Sequence, residues 1–598
     1  MRVEAFKNEL YISANNLQLI TNNSIMNLNI EAVKKNTYDA IVVGSGMSGG
    51  IAAKELTEKG LKVLVIERGR EVKHVKDYDT MLKDPWEFQH RGKVTNKSAE
   101  ELWANSRFWG LANEEAGEFF TNDKENPFLE KRPFDWIRAY HTGGKSMQWG
   151  KQSYRWNRGD FEANLKEDIG VDWPVRYDDI APWYSYVEKF VGVSGGKDGL
   201  DVLPDGEFQP EMPMYPPELL FKQKMMEKFK RPVVMGRAAH LTQPTAEQLA
   251  LGRGSCQYRN KCSRGCPYGA YYSSLSGSLA AAAKTNNLSL LNDTIVTELI
   301  YDQTKQKVTG VKVINQKTMH TEEFFSKIIF LNAGSMNTSA LMLNSKSSRF
   351  ANGFGNDSDQ VGRNVMDHHL GSGASATVDG FEEDYVFGNR PNNIYIPRFR
   401  NWGSDKQKSF TRGYGYQGGA SREGWGRGVN KDGFGAAFKE SLTQPGQWTF
   451  GFGGFGEVLP NPNNRMYLDD SQKDKWGIPL IVFDAAFGEN ELEQRKDIVK
   501  SGIEMLDAAG FKNINGYDNK QVHIGLGIHD MGTARMGRDP KTSVLNSYNQ
   551  VHACKNVFVT DGAFMASSSC VNPSLTYMAF TARAADFAVA ELKKQNLK

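Results

Sequence analysis

The chain lacks long apolar runs, is poor in cysteine and carries almost no excess of charge. No window approaches 18 consecutive apolar residues, so no segment predicts a transmembrane helix. The 73 Lys and Arg residues nearly balance the 70 Asp and Glu residues, and a net charge of +3 offers no basic face to a nucleic-acid backbone. Five cysteines in 598 residues exclude a disulfide scaffold. We therefore expect no nucleic-acid partner and no transmembrane segment in this chain.

The first 36 residues lack another feature, the continuous apolar core of a secretory signal. They are rich in Asn, and we interpret 1–36 as an N-terminal extension. Two localisations follow: the protein stays in the cytoplasm, or another protein exports it. Hydrophobic residues make up 39% of the whole chain, which is enough for large cores and predicts a globular protein.

A compact strand, helix and strand unit follows the extension. The β-branched run Tyr38 to Val43 leads into a glycine-rich turn and a helix that ends near Gly60, and Leu61 to Ile66 forms a second buried strand. Later runs have the same character: Ser326 to Ala333, followed by a helix over Asn337 to Leu343, and Val557 to Thr560. Strands of one parallel sheet that lie this far apart predict a discontinuous nucleotide-binding domain with long insertions.

The glycines of the first turn have the spacing of a dinucleotide fingerprint. Gly44 allows the tight turn, Gly46 lets the backbone approach a pyrophosphate, and Gly49 permits close packing of helix on strand. The second strand ends at Glu67, whose carboxylate can accept the hydroxyls of an adenosine ribose and disfavours NADP. The fingerprint does not choose between NAD and FAD. The predicted dinucleotide site comprises Gly44, Gly46, Met47, Ser48, Gly49, Glu67 and Arg68.

A segment from about 385 to 480 interleaves aromatic residues with glycines, most clearly from Trp448 to Glu457. Such alternation is typical of antiparallel strands with rings on one face. We interpret this sheet as the floor of a substrate chamber. The alternative is that the rings pack the sheet against helices.

Four further segments resemble the glucose-methanol-choline (GMC) family of FAD oxidoreductases. The C-terminal one is the most specific, since it contains a His-x-x-Gly-Thr pattern at His529 and an Asn-Pro pair at Asn572. The resemblance runs in order from residue 38 to about 590. The four segments are His141 to Gly150, Leu331 to Ser335, Val361 to Asn364 and His529 to Ala585.

The resemblance implies a catalytic pair and an FAD site. His529 would take the proton of an alcohol while hydride leaves carbon for the flavin, with Asn572 as its partner; an imidazole and an amide suit these roles. Gln148 stands where relatives with covalently bound FAD carry a His, so the resemblance implies non-covalent FAD. The residues implied to contact FAD are Gly143, Gly144, Ser146, Met147, Val296, Asp561, Gly562, Asn572 and Pro573.

Three of the five cysteines, Cys256, Cys262 and Cys266, fall within eleven residues. A loop with basic neighbours suits an iron-sulfur cluster, whereas a structural zinc normally has a fourth ligand. Unliganded cysteines are the other alternative. The spacing resembles that of the catalytic subunit of bacterial FAD-dependent, dye-linked sugar dehydrogenases, which implies a [3Fe-4S] cluster. Cys570, close to Asn572 in sequence, is expected near the flavin and not as a fourth ligand.

Together these cofactors imply a dehydrogenase that oxidises a secondary alcohol of a sugar and passes electrons through the cluster to a cytochrome c. C3 of a glucoside or disaccharide is the favoured position; C1 of glucose and C2 of gluconate are the alternatives. A flavin oxidase that uses oxygen and a non-catalytic FAD subunit are the competing classes. In the relatives that this chain resembles, a small companion subunit carries the export signal, which implies a periplasmic enzyme and is compatible with its association with a membrane.

The predicted fold is α/β, α+β overall, with a discontinuous Rossmann-like FAD-binding domain and a substrate domain built on a mainly antiparallel sheet. We assign 37–170, 270–345 and 520–598 to the FAD-binding domain. The substrate-binding domain takes 171–269 and 346–519, with the iron-sulfur loop at 254–268.

Overall fold

The computed structural model describes residues 36–107, 112–384, 388 and 390–597. All but the last residue of the predicted N-terminal extension lies outside this range. The strands, in chain order, are β1 (Thr37–Val43), β2 (Val63–Ile66), β3 (Leu129–Glu130), β4 (Val234–Met235), β5 (Leu288–Leu291), β6 (Thr294–Asp302), β7 (Lys307–Asn315), β8 (Thr321–Leu331), β9 (His368–His369), β10 (Ser372–Val378), β11 (Ile394–Ile396), β12 (Tyr414–Arg422), β13 (Trp448–Glu457), β14 (Arg465–Lys473), β15 (Pro479–Asp484), β16 (Lys512–Asp518) and β17 (Val557–Val559).

The α-helices vary from single turns to five turns. They span Met47–Glu58, Asn96–Glu101, Trp103–Ser106, Arg158–Glu167, Tyr177–Val191, Pro216–Phe229, Ala246–Ala250, Ser278–Lys284, Ser335–Asn344, Gly435–Thr443, Glu489–Ala508 and Ser574–Lys593. Within the described part of the chain, no helix has the length and apolar content of a membrane span.

The first sheet has the order β5-β2-β1-β8-β7-β6, and β17 also pairs with β8. Its five strands β5, β2, β1, β8 and β17 run parallel, while β6 and β7 are antiparallel additions. Ala40 and Val42 contribute to one hydrophobic core and Ile41 and Val43 to another, so β1 is buried on both faces, as expected for a parallel strand between helices. The discontinuous Rossmann-like sheet predicted from the sequence is thus confirmed.

The predicted elements of this sheet are present with shifted ends. The second strand begins at Val63, two residues after the expected Leu61, and β8 begins at Thr321, ahead of the expected Ser326. The helix expected over Asn337 to Leu343 spans Ser335–Asn344, and β17 ends one residue before Thr560. Strand ends depend on pairing partners, which the apolar pattern of one segment does not report.

The second sheet is antiparallel and has the order β16-β10-β13-β12-β11-β4, with β9 paired to β13. Two strands of a third, small sheet, β14 and β15, are antiparallel, and β15 pairs in parallel with β3. The mainly antiparallel sheet that the sequence predicts is therefore present.

The aromatic face of β13 does not line a chamber. Trp448, Phe450 and Phe452 point into a core formed with two helices, and they pack there with Phe221 and Ile498. The alternative interpretation is therefore correct for this face. Rings alternate with glycines because the strand has one buried face that requires large apolar side chains.

The opposite face of the same sheet reaches the main cavity. Gln417 of β12 and Phe455 of β13 belong to the cavity wall. Gln417 is paired directly with Gly453 across the two strands, so no side chain beside it on β13 covers it. One face of the sheet is thus the packed core, and the other supplies two side chains to the cavity.

The helix Glu489–Ala508 offers a test of this core. Ile498 is fully buried against the sheet, whereas Leu492 on the same helix is 44% exposed. We expect Ile498→Ala to lower the free energy of unfolding by about 2–5 kcal/mol, because it removes buried methyl groups and leaves a cavity. Leu492→Ala, measured by the same denaturant titration, should change it by less than about 1 kcal/mol. Equal losses for both variants would contradict the assigned packing.

Candidate functional site

A cavity of about 650 Å³ opens at the carboxyl ends of the parallel strands. Ligands of open α/β sheets bind at this edge, where the strands end and the loops begin. The residues that directly follow β1, β2 and β8 contribute to its wall, as does Asp561, two residues after the end of β17. The sequence-predicted residues that line it are Gly44, Gly46, Met47, Ser48, Glu67, Arg68, Gly144, Ser146, Val296, His529, Asp561, Gly562 and Asn572.

The glycine turn has the shape that the fingerprint predicts. Gly44 has φ +96°, and a Cβ there would lie 2.3 Å from the carbonyl oxygen of Asn332. A Cβ on Gly49 would lie 2.0 Å from the carbonyl oxygen of Gly44, so helix and strand could not pack as they do. A Cβ on Gly46, in contrast, would meet no protein atom nearer than 4.0 Å. The space beside Gly46 is therefore open to a ligand.

Uncapped backbone groups point to an anionic ligand at this place. Among the described residues, no side chain caps the helix Met47–Glu58 at its N-terminal residue Gly46, and the first turn contains no acidic residue. The helix N-terminus thus presents free N–H groups and a positive partial charge to the cavity. The buried side-chain nitrogen of Asn332 on the same wall has no hydrogen-bond partner in the described structure. These residues fit the pyrophosphate region of a dinucleotide.

Glu67 and Arg68, the two residues that follow β2, line the cavity beside the glycine turn. The Glu67 carboxylate accepts hydrogen bonds from the backbone N–H of Ser45 at 3.1 Å, the Ser45 hydroxyl at 2.5 Å and the Gly69 N–H at 2.9 Å. Burial raises the pKa of Glu67, although these hydrogen bonds oppose the rise. The Arg68 guanidinium lies 4.5 Å from the centre of the Tyr140 ring. Glu67 therefore holds the turn in shape as well as lining the cavity.

The Asp561 carboxylate links two segments of the cavity wall by hydrogen bonds. Its carboxylate accepts hydrogen bonds from the Gly334 N–H at 2.9 Å and from the Thr338 hydroxyl at 2.5 Å. Both donors belong to the start of the helix Ser335–Asn344, whose N-terminus also reaches the cavity. Burial raises the pKa of Asp561 to about 6. The loop after β17 is thereby fixed against the loop after β8.

Four of the predicted cofactor residues do not belong to the cavity wall: Gly49, Gly143, Met147 and Pro573. Gly49 acts through packing, as its spacing predicts. Met147 is fully buried in a hydrophobic core, where its sulfur accepts a hydrogen bond from the Tyr78 hydroxyl at 3.7 Å. Gly143 donates its N–H to the Ser45 hydroxyl at 3.0 Å. Gly49, Met147 and Gly143 thus stabilise residues of the cavity wall without lining the cavity themselves.

His529 and Asn572, predicted as a catalytic pair, lie together on the cavity wall. The side-chain nitrogen Nδ2 of Asn572 is 3.4 Å from Nε2 of His529. Gln417 donates a hydrogen bond of 2.5 Å to Oδ1 of Asn572. The ring of Phe455 lies 6.3 Å from the His529 ring and gives this end of the cavity an apolar side. The base and the amide thus face one common space.

The surroundings of His529 keep its ring neutral. Burial, the adjacent His368 and the cation of Lys145 hold the pKa of His529 well below its usual range. Lys145 forms an ion pair with Asp530 at 2.6 Å. A neutral imidazole with a free lone pair can accept a proton, which a general base requires.

His368, which received only a structural interpretation from the sequence, contacts His529 directly. The two Nδ1 atoms are 2.8 Å apart. The preceding residue, Asp367, accepts hydrogen bonds from the backbone N–H groups of Gly525, Gly527 and His529. No spacing in the sequence could reveal this contact, because residues 367–368 and 529 meet only through tertiary structure.

Asp367, His368 and His529 also form the one set of potential metal ligands with all donor atoms within 4.8 Å in the described part of the chain. Their ligand atoms are already engaged: the Asp367 carboxylate binds three N–H groups, and the two imidazoles contact each other. The set therefore works as a hydrogen-bonded cluster around the base.

The three clustered cysteines share one partly buried loop and have free thiols. The thiol of Cys256 interacts electrostatically with those of Cys262 and Cys266, which in turn interact with each other. Their sulfur atoms do not all lie within 4.8 Å of one another. His240, which the sequence did not single out, places Nε2 3.6 Å from the Cys262 sulfur. Its Nδ1 is buried without a hydrogen-bond partner in the described structure.

The basic residues of the loop contribute unequally to the charge around its cysteines. Arg259 interacts with Cys262. Arg264 pairs with Glu115 at 2.5 Å and Lys261 with Asp84 at 3.5 Å, which are carboxylates outside the loop. Lys151 and Arg253 are buried and also face the cysteines. Burial lowers the pKa of Lys151, whereas the nearby Cys262 and Cys266 favour its charged form.

Arg253 is fully buried. Within the described structure, its hydrogen-bond acceptors are all backbone carbonyl groups, and the nearest is that of Val191 at 2.8 Å. Burial lowers its pKa to about 10. The loop is therefore surrounded by buried positive charge that no carboxylate of the described structure compensates.

The other two cysteines are buried away from this loop. Cys554 donates to the Asn556 side-chain oxygen at 3.3 Å. Cys570 interacts with Arg398, Asp160 and Glu457 and does not line the cavity, so its sequence proximity to Asn572 does not bring its thiol to the cofactor space.

Comparison with known families identifies the fold and its chemistry. A family model described as GMC oxidoreductase matches residues 38–370, and a second with the same description matches residues 460–581. The chain belongs to the GMC oxidoreductase family, as its motifs predicted. It is thus a sugar or alcohol oxidoreductase acting on CH–OH groups, and its fold indicates FAD as the cofactor.

Individual relatives are distant but match over nearly the whole chain. The fructose dehydrogenase large subunit of Gluconobacter japonicus is 25% identical over 567 residues, 93% of this chain and 98% of that protein. Paromamine 6'-oxidase of Streptomyces fradiae is 26% identical over 572 residues, 93% of this chain and 92% of that protein. A solved structure of Aspergillus oryzae formate oxidase has a TM-score of 0.59 at 14% identity, covers 94% of this chain and 100% of that chain, and supports the fold alone.

The catalytic pair gives a direct prediction. We expect His529→Asn to slow flavin reduction by an alcohol substrate about 10²- to 10⁴-fold, because it removes the base. The rate is measured anaerobically from the loss of flavin absorbance after mixing. His552→Asn is the matched control, since His552 is half-buried, bonds to Ser543 and lies outside the cavity wall. An unchanged rate in His529→Asn would remove His529 from the mechanism.

Proposed function

We propose that the protein is an FAD-dependent dehydrogenase that oxidises a secondary alcohol of a sugar and passes the electrons through an iron-sulfur cluster to a cytochrome c. The observation that carries this proposal is the position of Lys151. It belongs to the cavity wall and also faces Cys262 and Cys266. The cofactor cavity and the cysteine loop are therefore adjacent, as electron transfer between two centres requires.

The residues of the cavity supply the acid-base part of the reaction. The glycine turn would hold FAD without a covalent bond, and the cofactor would supply the acceptor for the hydride of the carbinol carbon. Nε2 of His529 takes the hydroxyl proton, and Nδ2 of Asn572 donates a hydrogen bond to the same oxygen. The alcohol thereby loses two electrons and two protons and becomes a carbonyl compound. Asn572 is buried and His529 is partly buried, which limits the access of water to the proton transfer.

A sugar is supported as the substrate by the cavity end around His529. Phe455 provides an apolar ring against which a pyranose face can stack, and Gln417 and Gln152 add amide groups to the wall. The named relatives include a fructose dehydrogenase and a paromamine oxidase. We favour C3 of a glucoside or disaccharide, which yields a 3-keto sugar, over C1 of glucose or C2 of gluconate.

A [3Fe-4S] cluster at Cys256, Cys262 and Cys266 is supported by charge and by spacing. Cluster and thiolates together are anionic, and Lys151 and Arg253 supply buried positive charge without carboxylate partners in the described structure. The spacing of three cysteines suits a cluster in which each thiolate binds its own iron, whereas a structural zinc normally has a fourth ligand.

A small companion subunit and a periplasmic location complete the proposal. The relative from Gluconobacter japonicus is named a large subunit, which supports an assembly with at least one other chain. Export together with such a subunit would bring the enzyme to the periplasm. A cytochrome c is the acceptor that one-electron transfer from the cluster favours.

The substrate is tested by a dye-reduction screen over glucose, gluconate, lactose, trehalose and methyl glucosides, followed by NMR of the product. We expect the fastest dye reduction with glycosides and a keto group at C3. A product oxidised at C1 or C2 would replace the C3 assignment. Peroxide formation as fast as dye reduction would instead identify an oxidase. No dye reduction by any alcohol in the screen, in protein that contains FAD, would support the non-catalytic class.

The cluster is tested with Cys262→Ser. We expect this variant to lose iron and the paramagnetic resonance signal of the cluster, and to lose cytochrome c reduction while it still reduces a flavin-accessible dye. Cys554→Ser is the control, because Cys554 is buried away from the loop and should leave iron and both activities unchanged. Normal cytochrome reduction by an iron-free variant would refute the electron-transfer role.

A further inference from the structure

The His529 ring is contacted at both of its nitrogen atoms. His368 lies against Nδ1 at 2.8 Å, and Asn572 lies against Nε2 at 3.4 Å. A neutral imidazole carries its proton on one nitrogen only, so each contact has a fixed direction once the proton is placed. Which nitrogen is free decides whether His529 can act as a base toward the cavity.

The carbonyl oxygen of Ser569 determines that direction. It lies 3.1 Å from Nε2 of His368 and can only accept, so Nε2 of His368 carries the proton. Burial lowers the pKa of His368 to about 4, so the ring stays neutral and its Nδ1 is an acceptor. The Nδ1 of His529 must therefore be the donor between the two rings. This leaves the lone pair of His529 on Nε2, the nitrogen that faces Asn572.

The partners of Asn572 agree with this assignment. A lone pair on Nε2 requires Asn572 to present its amide nitrogen to His529 and its oxygen to another donor. Gln417 supplies that donor, with its side-chain nitrogen 2.5 Å from Oδ1 of Asn572. The hydrogen bonds from the Ser569 carbonyl to Gln417 thus form one consistent series through His368, His529 and Asn572.

The backbone of His529 is held by the residue next to His368. Asp367 accepts the His529 N–H at 3.0 Å and the N–H groups of Gly525 and Gly527 at 2.8 Å each. Ile528, directly before His529, has φ +58°, a conformation that a β-branched residue adopts only when its surroundings impose it. Asp367, directly before β9, therefore fixes the main chain of the base, and His368, the first residue of β9, fixes its ring.

We propose that His368 is a positioning residue that holds His529 in the tautomer protonated at Nδ1, so that the Nε2 lone pair faces the substrate hydroxyl. This inference rests on the proposed role of His529 as the base. His368 itself does not line the cavity. It acts by accepting one hydrogen bond, which a side chain of similar size can also do if it offers an acceptor.

Two near-isosteric variants separate this role from simple packing. In His368→Gln, the side-chain oxygen can accept from Nδ1 of His529 and the amide nitrogen can donate to Ser569; in His368→Leu, neither is possible. We expect His368→Leu to slow anaerobic flavin reduction about 10- to 100-fold with little change in substrate affinity, within the ceiling set by loss of the base. His368→Gln should recover most of the rate. His368→Met is the apolar replacement if the leucine variant does not fold.

Each variant is compared at equal FAD content, and His529→Asn is measured alongside. Equal losses in the Gln and Leu variants, or a loss confined to substrate affinity, would show that His368 only fills space. Full activity in His368→Leu with a large loss in His529→Asn would overturn the inference and leave the proposed function intact. Full activity in both would remove the base assignment itself.

Discussion

The site depends on one constraint: parallel strands from distant parts of the chain must end at the same edge of one sheet. The residues after β1, β2, β8 and β17 come from four separate stretches of sequence, yet each contributes to one cavity wall. Asp561 then ties the loop after β17 to the loop after β8. Because the glycine turn leaves free N–H groups at this edge, the sheet determines where an anionic cofactor can bind. The antiparallel sheet adds Gln417 and Phe455 from the opposite side.

Much of this could be predicted from the sequence where local geometry dictates residue type. Gly44, Gly46 and Gly49 are required by a positive φ, an open approach and a close contact, so their spacing alone indicates the turn. The C-terminal motif likewise predicted that His529 and Asn572 share one site. These signals are local or belong to a motif, and they are independent of how the insertions fold.

The remaining features could not be predicted because they depend on which faces meet. The rings of β13 alternate with glycine whether they line a chamber or a core, and only the helix with Ile498 decides between these. Met147 lies in a cofactor motif but points into the core beside Tyr78. His368 is adjacent in sequence to another histidine, and nothing in that pair indicates its contact with His529. The type of a residue indicates the chemistry that its side chain can perform, whereas the direction in which the side chain points depends on the tertiary structure.

The buried cations at the cysteine loop have a consequence for how the protein matures. Lys151 and Arg253 have lost hydration without gaining a carboxylate partner in the described structure, which costs folding free energy. Any anionic group that binds the loop recovers part of that cost, so binding and folding are thermodynamically linked there. Lys151 also belongs to the wall of the large cavity, so such a group would stabilise the border of that cavity as well.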